Sequence, residues 1–342
     1  MLEHGGRLRA AAQTFGIPLE SWVDLSTGIS PWCYPVPTIP ETAWHRLPEP
    51  EDALDAAAAR YYGNAALLAT SGSQAAIQML PRLFAPGPVT LIGPTYNEHA
   101  AAWRTAGHTV TFVADLSEAL TRGAPVTLLC NPNNPTATQV DRATLLHAAS
   151  HLQRRGGWLI VDEAYGDATP AFSVTPDAGM SAAPRLITLR SLGKFFGLAG
   201  ARVGFLFGDA ALRYRLNDAL GPWTINGPAR WVAQHALNDI AWQTRQRERI
   251  LEAGARLHTL LHQTLPTTRI ASTGLFSTCM LTPSTDARRL FEHLARCGIL
   301  TRLFVDDGLV RIGIPDDSAW PRLNDALKSW QHETHTENHD NR

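Results

Sequence analysis

A lysine in a glycine-rich stretch is the first feature of this sequence that could do chemistry. Lys194 follows a short apolar run and lies between Ser191 and Arg202 in the stretch SLGKFFGLAGAR. The stretch is not a nucleotide-binding P-loop, because Thr188 and Phe195 stand where that motif needs glycine and a hydroxyl residue. A lysine among apolar neighbours at a strand end favours Schiff-base chemistry, and a solvated loop lysine is the ordinary alternative.

Four segments upstream of this lysine also combine polar or aromatic residues with the ends of apolar runs. An aspartate and a tyrosine follow the run WLIV, and an asparagine lies in the proline-rich turn after VTLLC. A tyrosine follows VTLIG, and a Gly-Ser-Gln triplet opens a helix whose free N–H groups would attract an anion. Taken singly, each feature is also typical of a turn, a helix cap or core packing. The residues concerned are Gly72, Ser73, Gln74, Tyr96, Asn134, Asp162 and Tyr165.

The elements that must position these residues form an alternating pattern of strands and helices. Continuous apolar runs separated by helices predict a mostly parallel sheet covered on both faces, with binding loops at the carboxyl ends of its strands. The predicted strands are Val89–Gly93, Thr109–Val113, Val126–Cys130, Trp158–Val161, Leu186–Leu189 and Val203–Phe207. The predicted helices are Gln74–Leu83, His99–Ala106, Arg142–Arg154 and Leu212–Leu220, the third capped by Asp141.

The pattern changes after Gly221 to that of a smaller α+β unit. Residues 228–264 predict long helices, and they precede a strand at Phe276–Leu281, a helix at Asp286–Cys297, strands at Ile299–Leu303 and Leu309–Ile314, and a helix ending near Trp330. We therefore expect an amino-terminal arm over 1–40, a large α/β domain over 41–225 and a small α+β domain over 226–330. The last residues, 331–342, contain no apolar side chain and predict a disordered tail.

Composition excludes several classes of protein. The 342 residues include 30 Lys and Arg against 31 Asp and Glu, which leaves no basic field for a nucleic acid or an anionic membrane. No apolar run is long enough to cross a membrane, and the first residues lack the core of a signal peptide. The four cysteines are far apart without metal-like spacing, so we expect reduced thiols, no metal site and a cytoplasmic location.

Together, the five motifs resemble those of the pyridoxal-phosphate enzymes with the aspartate-aminotransferase fold (type I, class I/II), in the same order over residues 1–330. The resemblance implies that Lys194 forms the Schiff base with pyridoxal 5'-phosphate and that Asp162 pairs with the pyridine nitrogen. It also implies that Asn134 and Tyr165 bind the phenolic oxygen and that Tyr96 stacks on the ring. The residues implied for the cofactor phosphate are Gly72, Ser73, Gln74, Ser191 and Arg202. Lys194, Asp162 and Tyr165 are the implied catalytic residues.

Within that family, the amino terminus resembles the threonine-phosphate decarboxylases of cobalamin biosynthesis. The resemblance lies in a His-Gly-Gly triplet and the later stretch WVDLSTGISP. It implies decarboxylation of L-threonine O-3-phosphate to (R)-1-amino-2-propanol O-2-phosphate. Leu47 stands where many relatives carry a tyrosine that reaches the neighbouring subunit's cofactor phosphate, so that contact is missing or made otherwise. The residues expected to bind the substrate are His4, Gly5, Gly6, Gly28, Arg302 and Arg311.

Two other functions share the cofactor motifs. One is a histidinol-phosphate-type aminotransferase, and the other is a non-catalytic regulator that binds pyridoxal phosphate. The choice between threonine phosphate and serine phosphate also stays open, because one methyl group is worth only about 1–3 kcal/mol of discrimination. Sites of this fold usually lie at a dimer interface, so the resemblance implies a homodimer. It also implies that the substrate is a small phosphorylated amino acid.

Overall fold

The computed structural model describes residues 4–266 and 268–340, and the chain divides into two compact units. The larger unit contains residues 33–134 and 138–246, and the smaller unit contains the segment through Trp32, residues 135–137 and the chain from Arg247. The division therefore falls at 246/247 instead of the expected 225/226, and the expected amino-terminal arm over 1–40 is itself divided, its part through Trp32 belonging to the smaller unit. One reason is that Arg230 binds Asp52 through two hydrogen bonds of 2.6 and 2.7 Å, which join the helix after residue 226 to the larger unit.

The described residues form twelve helices and thirteen strands. The helices are α1 Leu8–Phe15, α2 Thr42–His45, α3 Leu54–Tyr62, α4 Gly72–Met79, α5 Asn97–Thr105, α6 Leu116–Arg122, α7 Arg142–Arg154, α8 Ala210–Leu220, α9 Gly227–Asn238, α10 Ile240–Thr264, α11 Ser284–Arg296 and α12 Trp320–Asp340. The strands are β1 Val23–Asp24, β2 Leu67–Thr70, β3 Pro88–Ile92, β4 Thr109–Val113, β5 Val126–Cys130, β6 Trp158–Asp162, β7 Leu186–Ser191, β8 Gly204–Phe207, β9 Arg269–Ser272, β10 Phe276–Met280, β11 Ile299–Leu300, β12 Arg302–Phe304 and β13 Leu309–Gly313.

The larger unit is built on a seven-stranded sheet in the order β2-β8-β7-β6-β5-β3-β4. Strands β3 to β7 pair in parallel, and β8 runs antiparallel to both of its neighbours. Every residue of β5 is buried, which is why the run VTLLC is mostly apolar and does not alternate between apolar and polar residues as a half-exposed strand would. Residues of α4, α5 and α8 pack with the strands in one apolar core around Leu91, Leu128, Ile160 and Leu189. The predicted fold class is thereby confirmed.

Some elements differ from the sequence prediction. Strand β2 was not predicted, because Leu67–Thr70 is short and follows an alanine-rich helical pattern. The strand predicted at Ile299–Leu303 is divided in two: β11 pairs in parallel with β1, and β12 pairs with β13 in the four-stranded antiparallel sheet β12-β13-β10-β9 of the smaller unit. Pairing on two different sheets requires a break in the strand, and Thr301 provides it.

Helix ends follow their local signals. Asp141 caps α7 by accepting a 2.9 Å hydrogen bond from the backbone of Thr144, as its sequence context predicts. The final helix, α12, continues to Asp340, so residues 331–340 are helical where we expected a disordered tail, and residues 341 and 342 lie outside the described range. No helix within the described residues combines the length and the apolar character needed to cross a membrane.

Candidate active site

A cavity of about 160 Å³ lies in the larger unit where β5, β6 and β7 end. Cys130, Asp162 and Ser191 are the last residues of these strands and all line the cavity. Nine of the ten residues predicted to bind a cofactor line it: Ser73, Gln74, Tyr96, Asn134, Asp162, Tyr165, Ser191, Lys194 and Arg202. The tenth, Gly72, begins α4 beside them. The sheet therefore brings the set together, as parallel strands with a common edge do, while the individual roles stay predictions.

Lys194 reaches this cavity from the turn that follows β7. Backbone bonds within the turn, including 3.2 Å from Gly197 N–H to the Lys194 carbonyl, hold its shape, and the side chain of Gln246 donates to the Phe195 carbonyl at 3.0 Å. The Lys194 ammonium nitrogen lies 5.2 Å from the centroid of the Tyr165 ring, within cation–π range. The two predicted catalytic side chains therefore meet in this cavity although they come from different loops.

Asp162 is held by a histidine that the sequence analysis did not single out. His99 on α5 is buried, and its Nε2 lies 2.8 Å from Oδ2 of Asp162. The ring of His99 also meets the ring of Tyr96 edge-on, at 6.0 Å between centroids. A signal for His99 was available, because a histidine in the first turn of a helix that directly follows Tyr96 lies near the same strand end.

The contacts of His99 favour its protonated form. Burial alone lowers the pKa of His99, but its hydrogen bonds with Asp162 and with Cys130 outweigh burial and raise that pKa to about 10. The histidine is consequently protonated at neutral pH, and it contacts the buried carboxyl group of Asp162. Ligand atoms of His99, Cys130 and Asp162 all lie within 4.8 Å of one another, a spacing explained here by these hydrogen bonds. A buried carboxyl group at the edge of the cavity suits a cationic partner there.

The start of α4 and the Arg202 side chain form a cradle for an anion. Gly72 has a φ of +71°, and a Cβ at this position would lie 2.6 Å from the Arg202 Nη2. A Cβ at Gly204 would lie 2.4 Å from the backbone nitrogen of Ser73, so β8 also closes on the helix. Both glycines thus permit the guanidinium and the first N–H groups of α4 to lie side by side. That combination suits a phosphate group.

Tyr96 forms one wall of the cavity and is fixed by its neighbours. Its hydroxyl donates to Gln74 Oε1 at 3.2 Å, and Gln74 Nε2 donates to Glu98 at 2.9 Å. Burial, and then the charge of Glu98, raise the pKa of Tyr96, so the phenol stays protonated. Because the Gln74 side chain is directed to Tyr96, a role of Gln74 in phosphate binding would fall to its backbone N–H.

Three asparagines in the loop after β5 make different contacts. Asn131 exchanges hydrogen bonds of 2.8 and 3.0 Å with the backbone of Val140, and Asn133 donates to the Pro94 carbonyl at 2.8 Å. These contacts fix the loop. Asn134, the asparagine of this turn singled out from the sequence, lines the cavity instead.

The residues expected to bind substrate lie in the smaller unit, where several of them converge on Ser26. Gly6 N–H donates to the Ser26 hydroxyl at 2.7 Å, and a Cβ at Gly5 would lie 2.3 Å from the Ser26 carbonyl oxygen. The guanidinium of Arg311 donates to that same carbonyl. Gly28, two residues further on, adopts a left-handed φ of +60°. Ser26 therefore organises this group, although the sequence analysis did not name it.

Two of the predicted arginines are direct cross-strand neighbours. Arg302 on β12 and Arg311 on β13 are paired in the antiparallel ladder, so their side chains emerge on the same face of the sheet. Like charges in this arrangement repel unless an anion lies between or beside them. Arg302 also lines a second cavity, of about 610 Å³, together with His4, Gly5 and Ser26. The smaller unit thus presents a cationic surface built from the arm and the sheet.

The donor set of the first cavity fits one kind of ligand. The helix start with Arg202 suits a phosphate, the carboxyl group of Asp162 suits a protonated ring nitrogen, and Tyr96 supplies an aromatic wall. Asn134 and Tyr165 add hydrogen-bonding groups, and Lys194 adds an amine. A flat aromatic cation that carries a phosphate satisfies all of these groups.

The fold and this cavity define the class of the protein. Residues 41–319 match the family model of aminotransferase class I and II, and the chain belongs to this family. It is 50% identical over 339 residues to a threonine-phosphate decarboxylase of Pseudomonas aeruginosa, covering 98% of this chain and all of the relative. It is 41% identical to a threonine-phosphate decarboxylase of a Sinorhizobium species, covering 95% and 97% of the two chains. The crystal structure of histidinol-phosphate aminotransferase from Sinorhizobium meliloti in complex with pyridoxal-5'-phosphate superposes with a TM-score of 0.82 at 20% identity, over 97% and 96% of the two chains.

Proposed function

We propose that the protein decarboxylates L-threonine O-3-phosphate with pyridoxal 5'-phosphate as its cofactor. The product is (R)-1-amino-2-propanol O-2-phosphate, for the aminopropanol arm of cobalamin biosynthesis. The observation that carries the proposal is the 50% identity to a threonine-phosphate decarboxylase along essentially the whole chain, arm included. The cofactor is supported by the donor set of the first cavity, which fits its phosphate, its ring nitrogen and its phenolic oxygen.

The residues of the larger unit would hold the cofactor in the roles that their contacts permit. The start of α4, with Ser191 and Arg202, would bind the phosphate. Asp162, held in place by His99, would pair with the ring nitrogen and keep it protonated. Asn134 and Tyr165 would bind the phenolic oxygen. Bound pyridoxal phosphate supplies an electron sink for the bonding pair that the departing carboxylate leaves behind.

Lys194 has two tasks in this scheme. Its amine would hold the cofactor until the substrate amine replaces it. Lys194 would then lie in the cavity beside Tyr165 and carry the proton that the substrate amine gives up on replacing it. When the Cα–carboxylate bond breaks and CO2 leaves, the bonding electron pair stays on the Cα side. Lys194 would give its proton to that carbon and then take back the cofactor, which would release the product amine.

The smaller unit would bind the two anionic ends of the substrate. We assign the carboxylate to Arg311 and the phosphate to Arg302 with the His4-Gly5-Gly6 arm. The arrangement is supported by the cross-strand pairing of the two arginines and by the contact of both Gly6 and Arg311 with Ser26. Binding of the phosphate far from the reacting carbon supplies energy that can turn the carboxylate into the orientation that favours its loss.

The main alternative is a histidinol-phosphate-type aminotransferase. It uses the same cofactor residues, so the first cavity does not distinguish the two, and a structural match at 20% identity shows the fold alone. A non-catalytic regulator is disfavoured because Lys194, Asp162 and Tyr165 are all present in the cavity. A cytoplasmic homodimer that shares its active sites across the interface completes the proposal. Leu47 is 63% exposed. At this position the contact with the partner subunit would differ from the one that relatives make through a tyrosine.

The test uses the protein loaded with pyridoxal phosphate and L-threonine O-3-phosphate, without any keto acid. We expect stoichiometric CO2 and aminopropanol phosphate, both detected by mass, and loss of both products in Lys194→Ala. L-Serine O-phosphate, run in parallel, measures how strongly the methyl group is recognised. If threonine phosphate stays intact and the cofactor spectrum changes to the pyridoxamine form with histidinol phosphate, the protein is an aminotransferase.

A further inference from the structure

A cluster of buried charges lies directly behind the residues of the first cavity. Arg190, Glu163 and Asp167 are each at most 2% exposed. Arg190 immediately precedes Ser191 on β7, and successive residues of a strand point to opposite faces. The cluster therefore occupies the face of β7 away from Ser191, and none of its three members lines the cavity.

Arg190 bridges the two carboxylates with the two arms of its guanidinium. Its Nη1 donates to Glu163 Oε2 at 2.6 Å, and its Nη2 donates to Asp167 Oδ1 at 2.7 Å. The guanidinium carbon also lies 4.6 Å from the centroid of the Tyr62 ring, at the end of α3. A planar fork is needed for this geometry, because a lysine ammonium is a point charge on a flexible stem.

Glu163 extends the bridge to a third segment. Its carboxylate accepts hydrogen bonds of 2.8 Å both from the backbone N–H of Val174 and from the Thr175 hydroxyl. Glu163 thus links the guanidinium to a second part of the loop that follows β6. Two carboxylates and the Tyr62 ring together restrict where the buried guanidinium can lie.

The bridge joins the two chain segments that carry the proposed catalytic groups. Glu163 directly follows Asp162, and Asp167 lies two residues after Tyr165. On the other segment, Arg190 lies four residues before Lys194. The position of the guanidinium therefore determines how far the loop of Asp162 and Tyr165 stands from the turn of Lys194.

Gly166 shows how closely the loop fits over the arginine. A Cβ at this position would lie 2.8 Å from Arg190 Nη1 and 3.3 Å from the Glu163 Cβ. Its φ is not in the left-handed region, so alanine is strained there only by this contact. A single methyl group would consequently displace the guanidinium without removing any charge.

We propose that Arg190 is a positioning residue for the cofactor site: by bridging Glu163 and Asp167, it sets Asp162 and Tyr165 against Lys194. The inference rests on the proposed cofactor but not on the identity of the substrate. Residues that orient the ligands of a metal typically contribute 10- to 100-fold in affinity, and we expect an effect of that order for a residue that orients cofactor-binding side chains. The bridge should therefore be visible in cofactor binding itself, apart from turnover.

The test compares Arg190→Lys and Gly166→Ala with a matched control, Arg230→Lys. Arg230 is also a buried arginine of the larger unit with two hydrogen bonds to a carboxylate, but it does not line the cavity. The measurements are the Kd of pyridoxal phosphate, the pH midpoint of the visible absorbance of the bound cofactor, and the Tm. We expect the first two variants to weaken binding about 10- to 100-fold and to shift the midpoint. The control should lower only the Tm.

Two results would overturn the inference. If Arg190→Lys and Gly166→Ala lower the Tm as the control does but keep the affinity and the midpoint of the wild type, the bridge is merely structural. If the lysine variant fails to fold, Gly166→Ala decides alone, since it retains every charge. If the wild-type protein does not bind pyridoxal phosphate, the proposed function is wrong together with this inference. If the wild type binds it and the variants bind it equally well, only this inference is wrong.

Discussion

Replacing Gly72 by alanine should weaken cofactor binding much more than a comparable glycine substitution elsewhere in the larger unit. Gly72 begins α4 with a φ of +71°, and an added Cβ would lie 2.6 Å from Nη2 and 3.2 Å from Cζ of Arg202. The substitution must move the guanidinium away from the start of the helix. We propose that the Arg202 guanidinium and the first N–H groups of α4 bind the cofactor phosphate together at this place.

The expected magnitude has two separable parts. A left-handed conformation costs a non-glycine residue about 1–2 kcal/mol, and this part lowers the stability of the folded protein. Losing a hydrogen bond to a charged group costs about 1.5–3 kcal/mol, and this part appears only when the phosphate binds. The second part corresponds to roughly a 10- to 150-fold increase in the Kd of pyridoxal phosphate.

Gly63→Ala is the control for backbone strain. Gly63 lies in the same unit with a φ of +69°, but a Cβ there would approach only Pro176, at 3.8 Å. Urea denaturation should show a similar loss of stability in both variants, whereas titration of the apoprotein with pyridoxal phosphate should show weaker binding only for Gly72→Ala. Equal affinity in the two variants would refute the assignment of the phosphate to this cradle.

Three further predictions test other parts of the structure. The pKa of His99 is raised from 6.5 to about 10 in the folded state, so its pairing with Asp162 stabilises the fold fully below pH 6.5. This contribution is lost as the pH rises through 10. The Tm measured by calorimetry should therefore fall between pH 6.5 and pH 10, and it should fall less in His99→Gln. Arg302→Gln should raise the KM for threonine phosphate about 10- to 100-fold, with a smaller change in kcat, because a charge-assisted phosphate contact is lost; an unchanged KM in steady-state assays would exclude Arg302 from the substrate site. Leu91→Ala, at a fully buried position of β3, should lower the free energy of unfolding by about 2–5 kcal/mol in urea, and a loss below 1 kcal/mol would contradict the packing described for the core.

The strands and helices of the larger unit could be predicted where one local pattern decides them. Strands β4 and β5 occupy the predicted residues. The largely apolar run of β5 is buried in the covered sheet, and β4, at the sheet edge, alternates threonine with apolar residues as a half-exposed strand does. Helix α7 also begins and ends as predicted, since its cap and its apolar spacing agree. Strand β2 could not be predicted in this way, because its pairing with β8 joins residues far apart in the chain.

The division of the chain into two units was less accessible from the sequence. The change of pattern at Gly221 is real, but α9 stays with the larger unit because Arg230 is held by Asp52, 178 residues away. The amino-terminal arm through Trp32 likewise belongs to the smaller unit because β1 pairs with β11. Neither contact leaves a local trace in composition or periodicity.

For the candidate site, the sequence by itself predicts which residues would supply the chemistry: Asp162, Tyr165 and Lys194 stand at or shortly after strand ends, and those positions follow from local patterns. Only the tertiary structure decided which residues support them. His99 reaches Asp162 across 63 positions, Arg190 bridges carboxylates 23 and 27 positions away, and Ser26 meets Arg311 across 285. The physical reason is that a buried charge must find its partner in space. The partner's type can be anticipated from a sequence, but its place depends on how the strands are ordered in the sheet.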